Sequence, residues 1–139
     1  MQREIKFRGI RVAKGCMIYG DLRNSKGNSY IYPIGGHSAY EVKPETIGQY
    51  TGMLDGNGQE IFEGDVMRIP ETEFNIEIIG VVEFNKGSYI VRSFFSGTHS
   101  SLAWAVRERL SGERRGVVIG NIHDDPELIK EEEKNEKED

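Results

Sequence analysis

Short runs of alternating apolar and polar residues, broken by glycine-containing pairs, dominate the chain. Residues 4–12 read EIKFRGIRV: Ile5 and Phe7 share one side, Lys6 and Arg8 the other. After Gly9 the apolar positions change parity, to Ile10 and Val12, and such a one-residue slip predicts a β-bulge at Gly9. Residues 16–22 (CMIYGDL) and 29–34 (SYIYPI) complete a three-stranded meander, with Pro33 placing the third strand at an edge because proline has no N–H to donate. Residues 76–84 and 88–95 form the clearest hairpin, and 117–122 (VVIGNI) a last buried strand. Between 98 and 110, Leu102, Val106 and Leu110 recur every four residues, which predicts a short helix capped by Ser100 or Ser101.

The punctuation between these runs is specific. Lys-Gly occurs at 14–15, 26–27 and 86–87, each beside residues of high β propensity. Glycine supplies the positive φ that tight hairpins require, and Asn85-Lys86-Gly87 suits a three-residue loop with Gly87 left-handed. Asp55-Gly56-Asn57-Gly58 offers two overlapping turns. The expected class is therefore mainly β, with one or two short helices. An N-terminal antiparallel meander (1–46) would pack on a C-terminal SH3-like open barrel (47–129) in one compact domain. The barrel reading rests on the Glu63-Gly64-Asp65 corner, which leads into a strand followed by a hairpin ending at Phe94-Phe95. Residues 130–139 carry no apolar side chain and are expected to form a disordered charged tail, fraying from a helix begun at Pro126.

Composition narrows the function classes. No apolar run reaches the roughly 20 residues of a membrane helix, and the charged start MQREIKFRGI does not read as a secretory signal. The single cysteine, Cys16, fits a reducing cytoplasm and reads as a small buried hydrophobe. Net charge is −5, but residues 1–26 hold seven Lys/Arg against two acids, and 27–102 hold four against ten. An acidic chain is not drawn as a whole to phosphate backbones, whereas a basic N-terminal face acts locally.

Candidate chemistry is sparse. Asp55, Asn57 and Gln59 begin like a calcium loop, but its sixth and twelfth positions are Glu60 and Val66 where glycine and glutamate are required. His37, His99 and His123 share no ligand spacing. Gly35-Gly36-His37-Ser38 reads as a loop between strands, and Asp124 or Asp125 as the cap of the Pro126 helix. No phosphate-binding glycine loop, nucleophile elbow or zinc-protease motif occurs, and no cofactor is implied. The best contact surface is Lys6, Arg8 and Arg11 beside Tyr19, Tyr30 and Tyr32. Such basic and aromatic sets serve protein interfaces and single-stranded nucleic acids alike. Three readings stay open: a non-catalytic module binding a protein partner, nucleic-acid binding by the same face, and a metal-dependent enzyme using His123, Asp124 and Asp125. Phe94, Phe95 and Trp104 would serve a homo-oligomer. Lys6→Glu with Arg8→Glu is expected to spare the fold and abolish partner binding.

Three segments together resemble a known family. They are Arg3-Glu4-Ile5-Lys6-Phe7-Arg8, the run from Ile47-Gly48-Gln49-Tyr50-Thr51-Gly52 through Asp55-Gly56-Asn57-Gly58 to Glu63-Gly64-Asp65-Val66, and Ile119-Gly120-Asn121-Ile122-His123 with Asp125-Pro126-Glu127-Leu128. The chain is similar to the YopX family along nearly all of residues 3–129. Gly9-Ile10-Arg11 and His123-Asp124 depart from the family pattern, where Ala-Trp-Asp-like and Tyr-Glu-like residues are usual. The resemblance implies a phage or prophage origin and a bacterial cytoplasm. It assigns no reaction, no cofactor and no site residue.

Overall fold

A computed structural model describes residues 4–71, 76–107 and 116–128, and the chain divides into two compact units, Met1–Gly52 and Met53–Asp139. The first holds β1 (Phe7–Ile10), β2 (Met17–Ser25), β3 (Asn28–Pro33), β4 (Tyr40–Val42), a 3-10 turn at Pro44–Thr46, and the start of β5 (Gly48–Leu54). Its strands lie in the order β4-β3-β2-β1-β5, all neighbours antiparallel, so the expected meander is present. β2 and β3 join through a two-residue turn in which Lys26 (φ 54°) and Gly27 (φ 83°) are both left-handed. This primed geometry follows the natural twist of the hairpin.

The predicted bulge at Gly9 is absent. Phe7↔Gly20, Arg8↔Tyr19, Gly9↔Ile18 and Ile10↔Met17 run in unbroken register. The parity change has a different cause, because the chain after β1 swings onto the far edge of β4. Arg11 bridges Val42, the Val12 amide donates to the Glu41 carbonyl at 3.0 Å, and the Lys43 amide to the Ile10 carbonyl at 2.9 Å. Gly9 is closely covered by the returning segment: a Cβ there would stand 3.1 Å from Val42 Cβ and 3.3 Å from Ile31 Cδ1. Ile31 and Val42 are fully buried beneath it. Nor is β3 an edge strand. β4 pairs with Ser29–Ile31 and stops short of Pro33, so the missing proline N–H breaks no ladder.

The second unit holds the end of β5, β6 (Glu60–Phe62), β7 (Asp65–Glu71), β8 (Ile76–Asn85), β9 (Ser88–Ser93), β10 (His99–Ser101), a single helical turn α1 (Leu102–Ala105) and β11 (Val117–Asn121). Five strands form an antiparallel sheet ordered β10-β9-β8-β7-β11. The β8–β9 turn is again two residues, Lys86 (φ 50°) and Gly87 (φ 87°), in place of the predicted three-residue loop. Met67, Ile69, Val82 and Val91 make one apolar face, packed with Ile61, Leu102 and Ala105. The helix predicted from 98 is only one turn long, because His99–Ser101 pair with Ile90–Arg92 as a strand first. Ser101 does cap that turn, its hydroxyl accepting the Trp104 amide at 3.0 Å.

The architecture is thus mainly β, with two antiparallel sheets and one short helix among the described residues. The second sheet is not a closed barrel, and the SH3-like open barrel expected over 47–129 is not established beyond its antiparallel strands. β10 and β11 end the second sheet on opposite sides and do not pair. The predicted tail (130–139), residues 108–110 of the predicted helix, and the basic residues Arg109, Arg114 and Arg115 lie outside the described residues.

Candidate functional site

Residues directly opposite in a ladder share a face, and so do alternate residues along a strand. Arg8 faces Tyr19, Asp21 faces Tyr32, and Arg23 faces Tyr30, which in turn faces Glu41. One side of the first sheet therefore carries Arg8, Tyr19, Asp21, Arg23, Tyr30, Tyr32 and Glu41. Tyr19 is 45% exposed and Tyr32 36%. Arg23, Asp21 and Glu41 are exposed too, and Tyr30 is half-buried. Arg23, Ser25, Tyr30, Tyr32 and Ala39 line a shallow depression of about 350 Å³.

The structure thus brings the three tyrosines together, as expected, but it withdraws the cations. Arg8 is only 4% exposed. The Lys6 side chain is 13% exposed; it pairs with Glu4 at 3.3 Å and lies 5.3 Å from the Tyr50 ring centre. Arg11 sits past the end of β1, its guanidinium 3.9 Å from the centre of the Tyr40 ring, and Tyr40 belongs to the opposite face because it pairs with Ile31. Arg23 takes their place. Sequence reading passed over it because the predicted strand ended at residue 22, whereas β2 continues to Ser25; extending the alternation Tyr19, Asp21 by one step would have found it. The expectation for Lys6→Glu with Arg8→Glu changes accordingly. Arg8→Glu exchanges a buried, engaged cation for a shorter anion and should lower the unfolding free energy by about 2 kcal/mol. Denaturant unfolding of the single variant checks this, with a loss below about 0.5 kcal/mol, the surface-substitution range, as the contrary result.

The other candidates resolve into structure. Asp55 is fully buried. Its Oδ1 accepts the amides of Asn57 and Gln59, its Oδ2 the amide of Val118, each at 2.8 Å, and the Gly56 amide donates to the Gly116 carbonyl at 2.8 Å. The carboxylate thereby ties the glycine-rich turn to β11. Asp125 Oδ2 reaches back to accept the Asn121 amide at 3.2 Å, its backbone carbonyl accepts the Leu128 amide at 3.0 Å, and the helix expected from Pro126 runs out of the described residues. The Asn121 side chain accepts the amides of His123 and Asp124 and donates to Asp124 Oδ2 at 3.1 Å. Among the described residues no three His, Cys, Asp or Glu side chains are grouped to hold a metal ion. Cys16, expected to be buried, is exposed. On the second sheet Arg92 Nη2 donates to Glu83 Oε1 at 2.7 Å, which raises the guanidinium pKa; the pair lies at the surface and is worth little to stability.

The central glycine motif explains itself in the same frame. Gly64 is left-handed (φ 90°), its amide donates to the Val82 carbonyl at 2.8 Å, and its carbonyl accepts the Ile122 amide at 3.0 Å. The Asp55 turn and the Gly64 corner are thus each bonded to the 116–122 segment, the turn at Gly116 and Val118 and the corner at Ile122. The YopX protein family matches residues 6–130. This chain belongs to the YopX family. The central landmarks of this YopX protein hold backbone geometry. A crystal structure of protein EF1440 from Enterococcus faecalis is similar in fold, with 23% identity and a TM-score of 0.53 over 92% of this chain and 99% of that one. No curated protein matches the YopX chain. Among its described residues no helix is long and apolar enough to cross a membrane.

Proposed function

We propose that this YopX protein is a phage- or prophage-encoded accessory protein of the bacterial cytoplasm that acts without catalysis, by binding a protein partner through the tyrosine face of its first unit. The observation that carries the reading is the adjacency of Tyr19, Tyr30 and Tyr32 with Arg23 on one partly exposed sheet face. Tyrosine and arginine are the residues most enriched at the centres of protein interfaces, where a rigid ring buries much area for little lost freedom. The same face favours protein over nucleic acid. Its exposed charges are one cation, Arg23, and two anions, Asp21 and Glu41, whereas a phosphate backbone is held by several cations acting together.

Tyr19→Ser with Tyr32→Ser tests this. Both rings keep a third to a half of their surface exposed, so unfolding should shift by about 1 kcal/mol per site, the typical cost of a single substitution. The tagged variant should fail to recover from host lysate a protein that the parent recovers after nuclease treatment. Equal recovery by parent and variant, or recovery that nuclease abolishes, would overturn the reading.

A further inference from the structure

The depression beside Tyr30 and Tyr32 has an uneven chemistry. Its lining supplies one guanidinium and three hydroxyls, from Arg23, Tyr30, Tyr32 and Ser25, and no carboxylate. Among the described residues the Arg23 side chain makes no ion pair or hydrogen bond, and neither tyrosine hydroxyl is hydrogen-bonded. Asp21 and Glu41 flank the depression on the same face, opposite Tyr32 and Tyr30, and neither forms an ion pair among the described residues. Four donors thus converge on one concavity, with an acid on each of two sides.

We propose that this depression takes a carboxylate side chain of the partner protein, held by Arg23, from an extended segment that also carries Lys or Arg two positions away to face Asp21. The inference rests on the protein-binding reading above and names the chemistry of the partner. A guanidinium presents paired N–H donors whose fork matches a carboxylate, and charge-assisted bonds of this kind are about twice as strong as neutral ones. The phenols add donors at the rim, and their rings give the segment apolar walls. Asp21 and Arg23 are alternate residues of one strand, so they stand about 7 Å apart, the separation of alternate side chains in an extended peptide. A basic residue two positions from the bound acid therefore comes opposite Asp21. A polyanion meets the two flanking carboxylates with no such compensation.

A random dodecapeptide library, displayed and selected against the immobilised full chain, tests the proposal. The expected result is a consensus with Asp or Glu two positions from Lys or Arg. Peptides of that consensus should bind the Arg23→Gln chain about tenfold more weakly or worse, the scale of losing one bond to a charged group. The Arg23→Lys chain should recover part of the loss, since the charge remains and the fork does not. A consensus without an acid, no enrichment at all, undiminished binding by Arg23→Gln, or displacement of the peptides by a single-stranded oligonucleotide at physiological salt would each overturn it. Repeating the lysate recovery with Arg23→Gln separates the two levels. A partner lost by the tyrosine variant but kept by Arg23→Gln defeats the carboxylate pocket alone, whereas one kept by both defeats the protein-binding reading as well.

Discussion

Asp55→Ala is expected to lower the unfolding free energy by about 3 kcal/mol, the scale of leaving three partly buried backbone donors without their acceptor at about 1 kcal/mol each. The carboxylate is fully buried and satisfies three backbone amides at 2.8 Å, those of Asn57, Gln59 and Val118. Alanine leaves those partly buried donors without their acceptor, and an orphaned donor costs more than the bond itself contributes. Asp55→Asn should lose about half as much. Its carbonyl oxygen still serves Asn57 and Gln59, but its amide nitrogen then meets the Val118 N–H, donor against donor. Urea unfolding gives the magnitude. Hydrogen exchange gives the location, because the Val118 amide should exchange faster in both variants. A loss below about 1 kcal/mol for Asp55→Ala, the worth of one ordinary hydrogen bond, would show that the turn and β11 are held together by other contacts.

Gly20→Ala is expected to cost about 3 kcal/mol or more, the upper end of overpacking, and to weaken partner binding although residue 20 is not on the tyrosine face. Gly20 stands between Phe7 on β1 and Pro33 on β3. An added Cβ points straight into the Tyr32 carbonyl oxygen and would lie 2.7 Å from the Tyr32 carbonyl carbon and 2.9 Å from Pro33 Cα. All three are backbone atoms, so no rotamer change relieves the clash and β2 and β3 must part. The tyrosine face is built on those two strands. Gly27→Ala is the control: its φ of 83° strains an L-residue, yet nothing lies within 4 Å of the new Cβ. That variant should lose only about 1 kcal/mol, the penalty of the left-handed conformation. Comparable losses at the two glycines would refute a packing role for Gly20. Thermal unfolding of both variants, alongside the lysate recovery, decides it.

Much of the β architecture was legible because its signals are local. The strands at 16–22, 29–34, 76–84, 88–95 and 117–122 each have a counterpart in β2, β3, β8, β9 and β11. Their hydrophobic alternation and the glycines between them act over a few residues, which is the range of φ preference and side-chain period. The readings that changed each involve a distant segment. Gly9 looked like a bulge because a parity slip is all that a strand in isolation shows; its cause is Val42, thirty-three residues on. The 98–110 periodicity looked helical until β9 offered His99–Ser101 a sheet edge. The β8–β9 turn is the local exception: Lys86 enters the left-handed region beside Gly87, because the twist of the paired strands selects a two-residue turn over the expected three-residue loop.

Where the chain turns, which runs are extended and that the landmarks belong to the YopX family can be read from residue order, because these depend on neighbours in the chain or on motif identity. The fate of each polar side chain cannot, because it depends on packing. Arg8 and Arg23 are the same residue type in similar strands, and Asp55 sits in a turn whose composition suggests solvent, yet Arg8 and Asp55 are buried and Arg23 is exposed. The physical reason is that burial is set by what arrives from elsewhere. β5 and the chain's return onto β4 enclose the end of β1, and β11 brings the Val118 amide onto Asp55. β2, meanwhile, runs on past β1, and Arg23 on that extension stays exposed, lining the depression.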